Sequence, residues 1–176
     1  MRIKIDVDYN GLVFFDPITV QKVDEGARQG VNLLKRYTEL DIGDDVLREG
    51  AFVPILAIDA ATYILNIEVG DPPKNLGMDD VVANSNYALK VMEKAFVADL
   101  DALMDWRGQT SGWVELGISP GNYRVSIIGF RSCSSEELIE AGYKVFFSKV
   151  ESLPEITADT GKNMRVNYPF GDTAES

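Results

Sequence analysis

The chemistry open to this sequence is almost entirely that of carboxylates. Its 176 residues include 28 Asp and Glu against 17 Lys and Arg, and no histidine. Without imidazole there is no Ser-His-Asp or Cys-His nucleophile, no histidine-ligated zinc and no histidine general base. An enzyme built on this chain would have to run on carboxylates, lysine or tyrosine. The stretch Asp6-Val7-Asp8-Tyr9-Asn10-Gly11 has the alternating acids and sixth-position glycine that open a calcium loop, but the twelfth position is Pro17 rather than a bidentate glutamate. It reads instead as outward acids on a strand, followed by a turn. Asp41, Asp44 and Asp45, and later Asp79 and Asp80, are acid runs of the kind that usually form solvated surface. A glycosidase needs two carboxylates roughly 5–10 Å apart across a cleft, a spacing that sequence alone does not specify. The phosphate-loop, dinucleotide, paired-cysteine and nucleophile-elbow patterns are all missing. The expectation is a protein that is not an enzyme and holds no cofactor and no metal.

What remains is the electric field of the chain. A net charge of −11 repels phosphate backbones and anionic membrane faces, and it attracts cationic proteins. The charge is uneven: residues 59–105 carry nine acids against three lysines. If those side chains share a face, that face would steer a basic partner towards it. Asp41, Asp44, Asp45, Asp79, Asp80, Asp99 and Asp101 are the residues expected to contribute. The alternative is a β-sandwich module for a carbohydrate or small ligand, using Trp106, Trp113, Tyr123 and Phe130 as a platform. The position of these aromatics in alternating strands favours core packing instead.

The elements that must position these groups are short strands. Ile3, Ile5 and Val7 alternate with Lys4, Asp6 and Asp8, which predicts a half-buried strand. Asn10-Gly11 fits a hairpin turn or a bend within one long strand, and Asp16-Pro17 ends the run. Residues 23–30 read as a turn or one short helical turn, 31–40 as ambiguous, and 41–45 as an acidic loop. Ala51–Asp59 and Thr62–Val69 predict a hairpin, with Pro54 confined to an edge or a bulge because it lacks an amide donor. Leu89, Met92, Phe96, Leu100 and Leu103 recur at helical spacing, so periodicity predicts a helix over 87–104. Trp113–Ile118 and Tyr123–Phe130 flank a Ser119-Pro120-Gly121-Asn122 turn. Glu136–Ala141 suggests a helical turn, and Tyr143–Val150 the last strand.

Cys133 is the only cysteine, the N-terminal run Met1-Arg2-Ile3-Lys4 does not read as a signal peptide, and no apolar stretch nears the ~20 residues that cross a bilayer. A cytoplasmic location is expected.

Three stretches also carry a likeness to a known family. Asp8-Tyr9-Asn10-Gly11-Leu12-Val13-Phe14-Phe15 looks like an aromatic-led first strand. Asp24-Glu25-Gly26-Ala27-Arg28-Gln29-Gly30 is similar to an Asp-Glu-x-x-x-x-Gly segment. Leu116-Gly117-Ile118-Ser119-Pro120-Gly121-Asn122-Tyr123 is similar to a Leu-Pro-x-Gly-x-Tyr hairpin, and Tyr143-Lys144-Val145-Phe146-Phe147 stands where a closing strand follows. In these features the chain resembles the competence protein J group, inhibitors of DNA-entry nucleases, and related immunity-type β domains. The order agrees over most of residues 3–150, with extra length around 70–110. The resemblance implies strands where periodicity predicts a helix, and neutralisation of a nuclease or toxin by protein–protein contact. It assigns no inhibitory residue, because it lies in scaffold motifs. The fold expected is mainly β, an antiparallel β-sandwich or partly closed barrel with room for one helix in residues 87–104. Residues 1–155 would form a single domain and 156–176 a polar, partly mobile tail.

Overall fold

Alternation at the N terminus produces β1 (Arg2–Val7), with Ile5 and Val7 buried and Arg2, Lys4 and Asp6 exposed. A computed structural model describes residues 1–107, 112–134 and 137–167. After β1 come β2 (Gly11–Phe15), α1 (Pro17–Val23), α2 (Leu33–Glu39), α3 (Ile42–Arg48), β3 (Phe52–Leu56), β4 (Ala61–Val69), β5 (Asp80–Val91), β6 (Phe96–Asp99), α4 (Asp101–Met104), β7 (Val114–Glu115), β8 (Gly121–Ser134) and β9 (Glu137–Val150). One sheet runs β1-β4-β9-β8-β5 and the other β3-β2-β6-β7. Every pairing is antiparallel except β4 with β9. The chain is thus mainly β, a two-sheet sandwich that does not close into a barrel.

The alternation of β2 explains the layering. All five of its residues are buried. Leu12 and Phe14 join the core between the sheets, where Phe14 meets Phe147 edge-on at 6.1 Å. Val13 and Phe15 face the other way, into a second core with Val20, Leu33, Val46 and Trp106 from the helical side. A strand buried on both faces reads as a continuous apolar run, which is how Leu12–Phe15 appears in the sequence. Helices therefore cover the outer face of the four-stranded sheet.

Several expectations are corrected. Residues 87–104 are not a helix: they complete β5, turn, form β6 and only then make the single turn α4. Tyr87, Leu89 and Val91 bury into the inter-sheet core, while Phe96 and Ala98 face the helices and Val97 the sandwich. The end of β5, the turn after it, β6 and α4 thus together imitate a helical stripe. Residues 51–69 are not a hairpin, since β3 pairs with β2 and β4 pairs with β1 and β9. Between them Ala57 adopts a left-handed φ of 55°, and the chain changes sheets there. Pro54 does lie on an edge strand. Likewise Trp113–Ile118 and Tyr123–Phe130 are not partners: β7 pairs with β6, and β8 with β5 and β9. Asn10, at φ 58°, turns the chain from one sheet into the other. Asp41–Asp45 leads into α3 rather than forming a loop, and Glu137–Ala141 is strand, Glu136 lying outside the described residues.

Two buried aspartates hold the helical side. Asp16 is fully buried and accepts hydrogen bonds from the amides of Ile18 (2.8 Å), Met92 (2.5 Å) and Glu93 (2.7 Å). It caps α1, with Pro17 in the first turn where a missing amide costs nothing, and it ties that helix to the β5–β6 turn. Asp24 accepts from Arg36 at 2.7 and 2.8 Å and from the Gly26 amide at 2.8 Å. The Arg36 hydrogen bond, more than any other cause, holds the Asp24 carboxyl below its ordinary value of 3.8. A depressed aspartate pKa contributes stability that is present above the unfolded value and lost as pH falls through the folded one. Asp24→Asn is therefore expected to be less stable than the parent at neutral pH, with the gap closing on acidification below about pH 4. Urea unfolding at a series of pH values measures this, and a gap that stays constant with pH would exclude it.

Residues 156–167, in the segment expected as a tail, pack on the fold together with Glu155 before them. Asn84 and Asn86 of β5 hydrogen-bond to the backbone of Asp159 and Glu155. Met164 and Val166 are buried in the inter-sheet core, and the Tyr143 hydroxyl donates to the Met164 carbonyl at 2.8 Å. Residues 168–176 lie outside the described residues. At the centre of the same sheet, Gly142 runs so close to Ile64 of β4 that a Cβ there would sit 1.9 Å from the Ile64 carbonyl oxygen.

Candidate functional site: an acid-lined cleft

The last residues of β1 and β6 carry acids into a common space. Antiparallel pairing of β6 with β2 sets Asp99 opposite Leu12, beside the corner that joins β1 to β2. There the Asp99 carboxylate accepts from the amides of Asp8 (2.6 Å) and Tyr9 (3.2 Å), fixing the exit of β1. Asp6 accepts from the Thr62 hydroxyl at 2.5 Å. α4 begins at Asp101, and the chain then passes Asp105 and Arg107, whose Nε donates to Asp105 at 2.7 Å. The result is a cleft of about 410 Å³ whose described lining includes five aspartates, Asp6, Asp8, Asp99, Asp101 and Asp105, and one cation, Arg107. Ile5, Ala98, Ala102 and Trp113 supply apolar wall.

Crowding of like charge shows in Asp101. Partial burial first, then the neighbouring Asp99 carboxylate and more weakly Asp8, push its carboxyl above the ordinary aspartate value. A cation brought into the cleft would relieve that repulsion. Among the described residues, no group of three or more carboxylate or thiol side chains converges so as to hold a metal ion.

Of the seven acids expected on one face, Asp99 and Asp101 line this cleft. Asp41 stands before α3, and Asp44 and Asp45 occupy its first turn, Asp45 pairing with Arg48 at 2.6 Å. Asp79 and Asp80 lie at the start of β5, the edge of the five-stranded sheet opposite β1. The Asp80 side chain is 1% exposed, bonded to Lys144 at 2.6 Å and to the Gly77 amide at 2.7 Å, so its charge is spent on the fold. Sequence reasoning passed over Asp6, Asp8 and Asp105 as site residues. The signal for the first two was present, because positions 6 and 8 of an alternating strand point the same way. The proposed aromatic platform is not assembled. Trp106, Tyr123 and Phe130 are buried, and Trp113 packs against Phe15 and Trp106 at 4.7 and 5.3 Å.

Fold and site together define a β-sandwich with one helix-covered face and an acidic cleft at an open corner. Compared with family models, curated proteins and solved structures, the chain matches none of them. No helix among the described residues is long and apolar enough to cross a membrane.

Proposed function

We propose that this protein binds and inhibits a cationic protein, in the manner of an immunity protein acting on a nuclease or toxin. The observation that carries the reading is the concentration of five aspartates around one cleft in a chain of net charge −11. The resemblance to the competence protein J group supports it independently. A nuclease presents a basic surface to nucleic acid, and an acidic protein that covers it competes with the phosphate backbone for the same charges. Electrostatic steering would make such association fast and strongly dependent on salt. Asp8 and Asp101 are the rim residues to change, because Asp99 also holds the β1–β2 corner.

The test measures association kinetics and inhibition against a panel of cationic nucleases at low and high salt. The parent protein is expected to bind one or more of them and to suppress cleavage. Asp8→Lys combined with Asp101→Lys should slow association by about tenfold or more at low salt and flatten its salt dependence. Asp41→Lys with Asp45→Lys, on α3, serves as the comparison face. An effect confined to the α3 pair would move the binding face there. Failure of the parent to bind or inhibit any nuclease in the panel would overturn the reading.

A further inference from the structure

The acidic cleft is also where the sandwich has open sheet edges. Among the described residues, β1 is the outermost strand of its sheet and pairs only with β4. The register shows which of its backbone groups are unused. Met1 and Ile67 exchange both hydrogen bonds, each at 2.7 Å. In an antiparallel ladder such pairs alternate. Ile3, Ile5 and Val7 therefore bond inward to β4, and the amides and carbonyls of Arg2, Lys4 and Asp6 point away from the sheet. Among the described residues no segment takes them up. On the opposite wall, β7 pairs with Phe96 and Val97 of β6, and among the described residues no strand pairing continues to Ala98 and Asp99 on that side. Ile5 and Asp6 of one edge and Ala98 and Asp99 of the other both line the cleft.

We propose that an extended segment of the partner adds to the edge of β1 as a further strand, its basic side chains gathered at the end nearest Asp6, Asp8 and Asp101. The inference rests on the reading of the protein as a binder of cationic proteins and names the mode of recognition. Strand addition takes affinity from main-chain hydrogen bonds and specificity from alternate side chains. Charge chooses the occupant: five aspartates surround the cleft end of the edge, whereas Arg2 at the far end is ion-paired to Glu140 and Lys4 stands between the two. An edge bearing unpaired amides is otherwise open to indiscriminate pairing, and like-charge repulsion at the cleft would turn away acidic strands.

The probe is a short synthetic peptide alternating lysine and valine, set beside the same peptide N-methylated at every second residue. Methylation removes main-chain donors and leaves the charge unchanged. The unmodified peptide is expected to bind and to protect the amides of Arg2, Lys4 and Asp6 from hydrogen exchange. The methylated one should bind about tenfold more weakly or worse, through loss of two or three hydrogen bonds. Lys4→Pro, which removes one outward amide at an edge position that tolerates proline, should weaken the unmodified peptide alone. Equal binding of both peptides, or binding without protection of those three amides, would overturn strand addition and leave charge recognition standing. Absence of peptide binding, in a protein that still captures a cationic nuclease in a salt-dependent way, would also overturn it. Failure of both assays would remove the underlying reading as well.

Discussion

Replacing Asp16 by alanine is expected to destabilise the protein by about 3–5 kcal/mol, the cost of removing a buried acceptor shared by three amides, one of them at a helix cap. The carboxylate is fully buried and serves the Ile18, Met92 and Glu93 amides together. Removing it leaves the Met92 and Glu93 amides of the β5–β6 turn without their acceptor. Domains of this kind have a total stability of about 5–15 kcal/mol, so the variant should approach the limit of folding. Asp16→Asn keeps the shape and one acceptor oxygen and should fall between variant and parent. Urea unfolding followed by tryptophan fluorescence gives both values. A loss below about 1 kcal/mol for the alanine variant would be the size of an ordinary cap and would show that the tie to the β5–β6 turn contributes nothing.

Ending the chain after Leu153 is expected to be worse still. The deleted segment carries Met164 and Val166, buried in the inter-sheet core at 2% and 0% exposure. It also supplies the carbonyl for the buried Tyr143 hydroxyl and the backbone that satisfies Asn84. Two buried aliphatic side chains are worth about 1.5–3 kcal/mol each, and the orphaned polar groups add to that. β5, the other edge of the five-stranded sheet, would lose its cover and become a site for pairing between chains. The truncated protein should lose its cooperative transition, bind a hydrophobic dye and aggregate. Met164→Ala in the full chain should cost about 2–5 kcal/mol, which separates loss of the core plug from loss of the edge cover. A truncated chain that melts cooperatively near the parent temperature would contradict this account of residues 155–167.

These cases show what the sequence made legible. The alternation in Arg2–Val7 and the apolar run of Leu12–Phe15 identify strands because period and burial agree there. Pro54 announces its own edge position through its missing amide. Partner choice is another matter. Ala51–Val69 and Trp113–Phe130 look like hairpins because neighbouring strands commonly pair, yet in both the chain crosses to the other sheet, and that choice is made by cores formed with distant residues. The helices were obscured because each is short and carries its apolar stripe over only two turns: α2 buries Leu33 and α3 Val46. For the site, negative charge was legible as a total and as a concentration along the chain. The grouping of Asp6 and Asp8 with Asp99 and Asp101 was not, because it requires β1 and β6 to be brought side by side across some ninety residues.

The close approach of Gly142 to Ile64 bears on how the protein is made. β9 is the last strand among the described residues and the middle strand of its sheet, and β4 reaches β8 only through it. While a ribosome is still adding residues before 142, β1 and β4 have each other but nothing to carry them into the rest of the sheet. The core therefore closes late, only after β9 has emerged. Pairings between such distant segments set folding in the slow range of ~milliseconds to seconds, and the half-made chain spends that interval with its apolar strands uncovered.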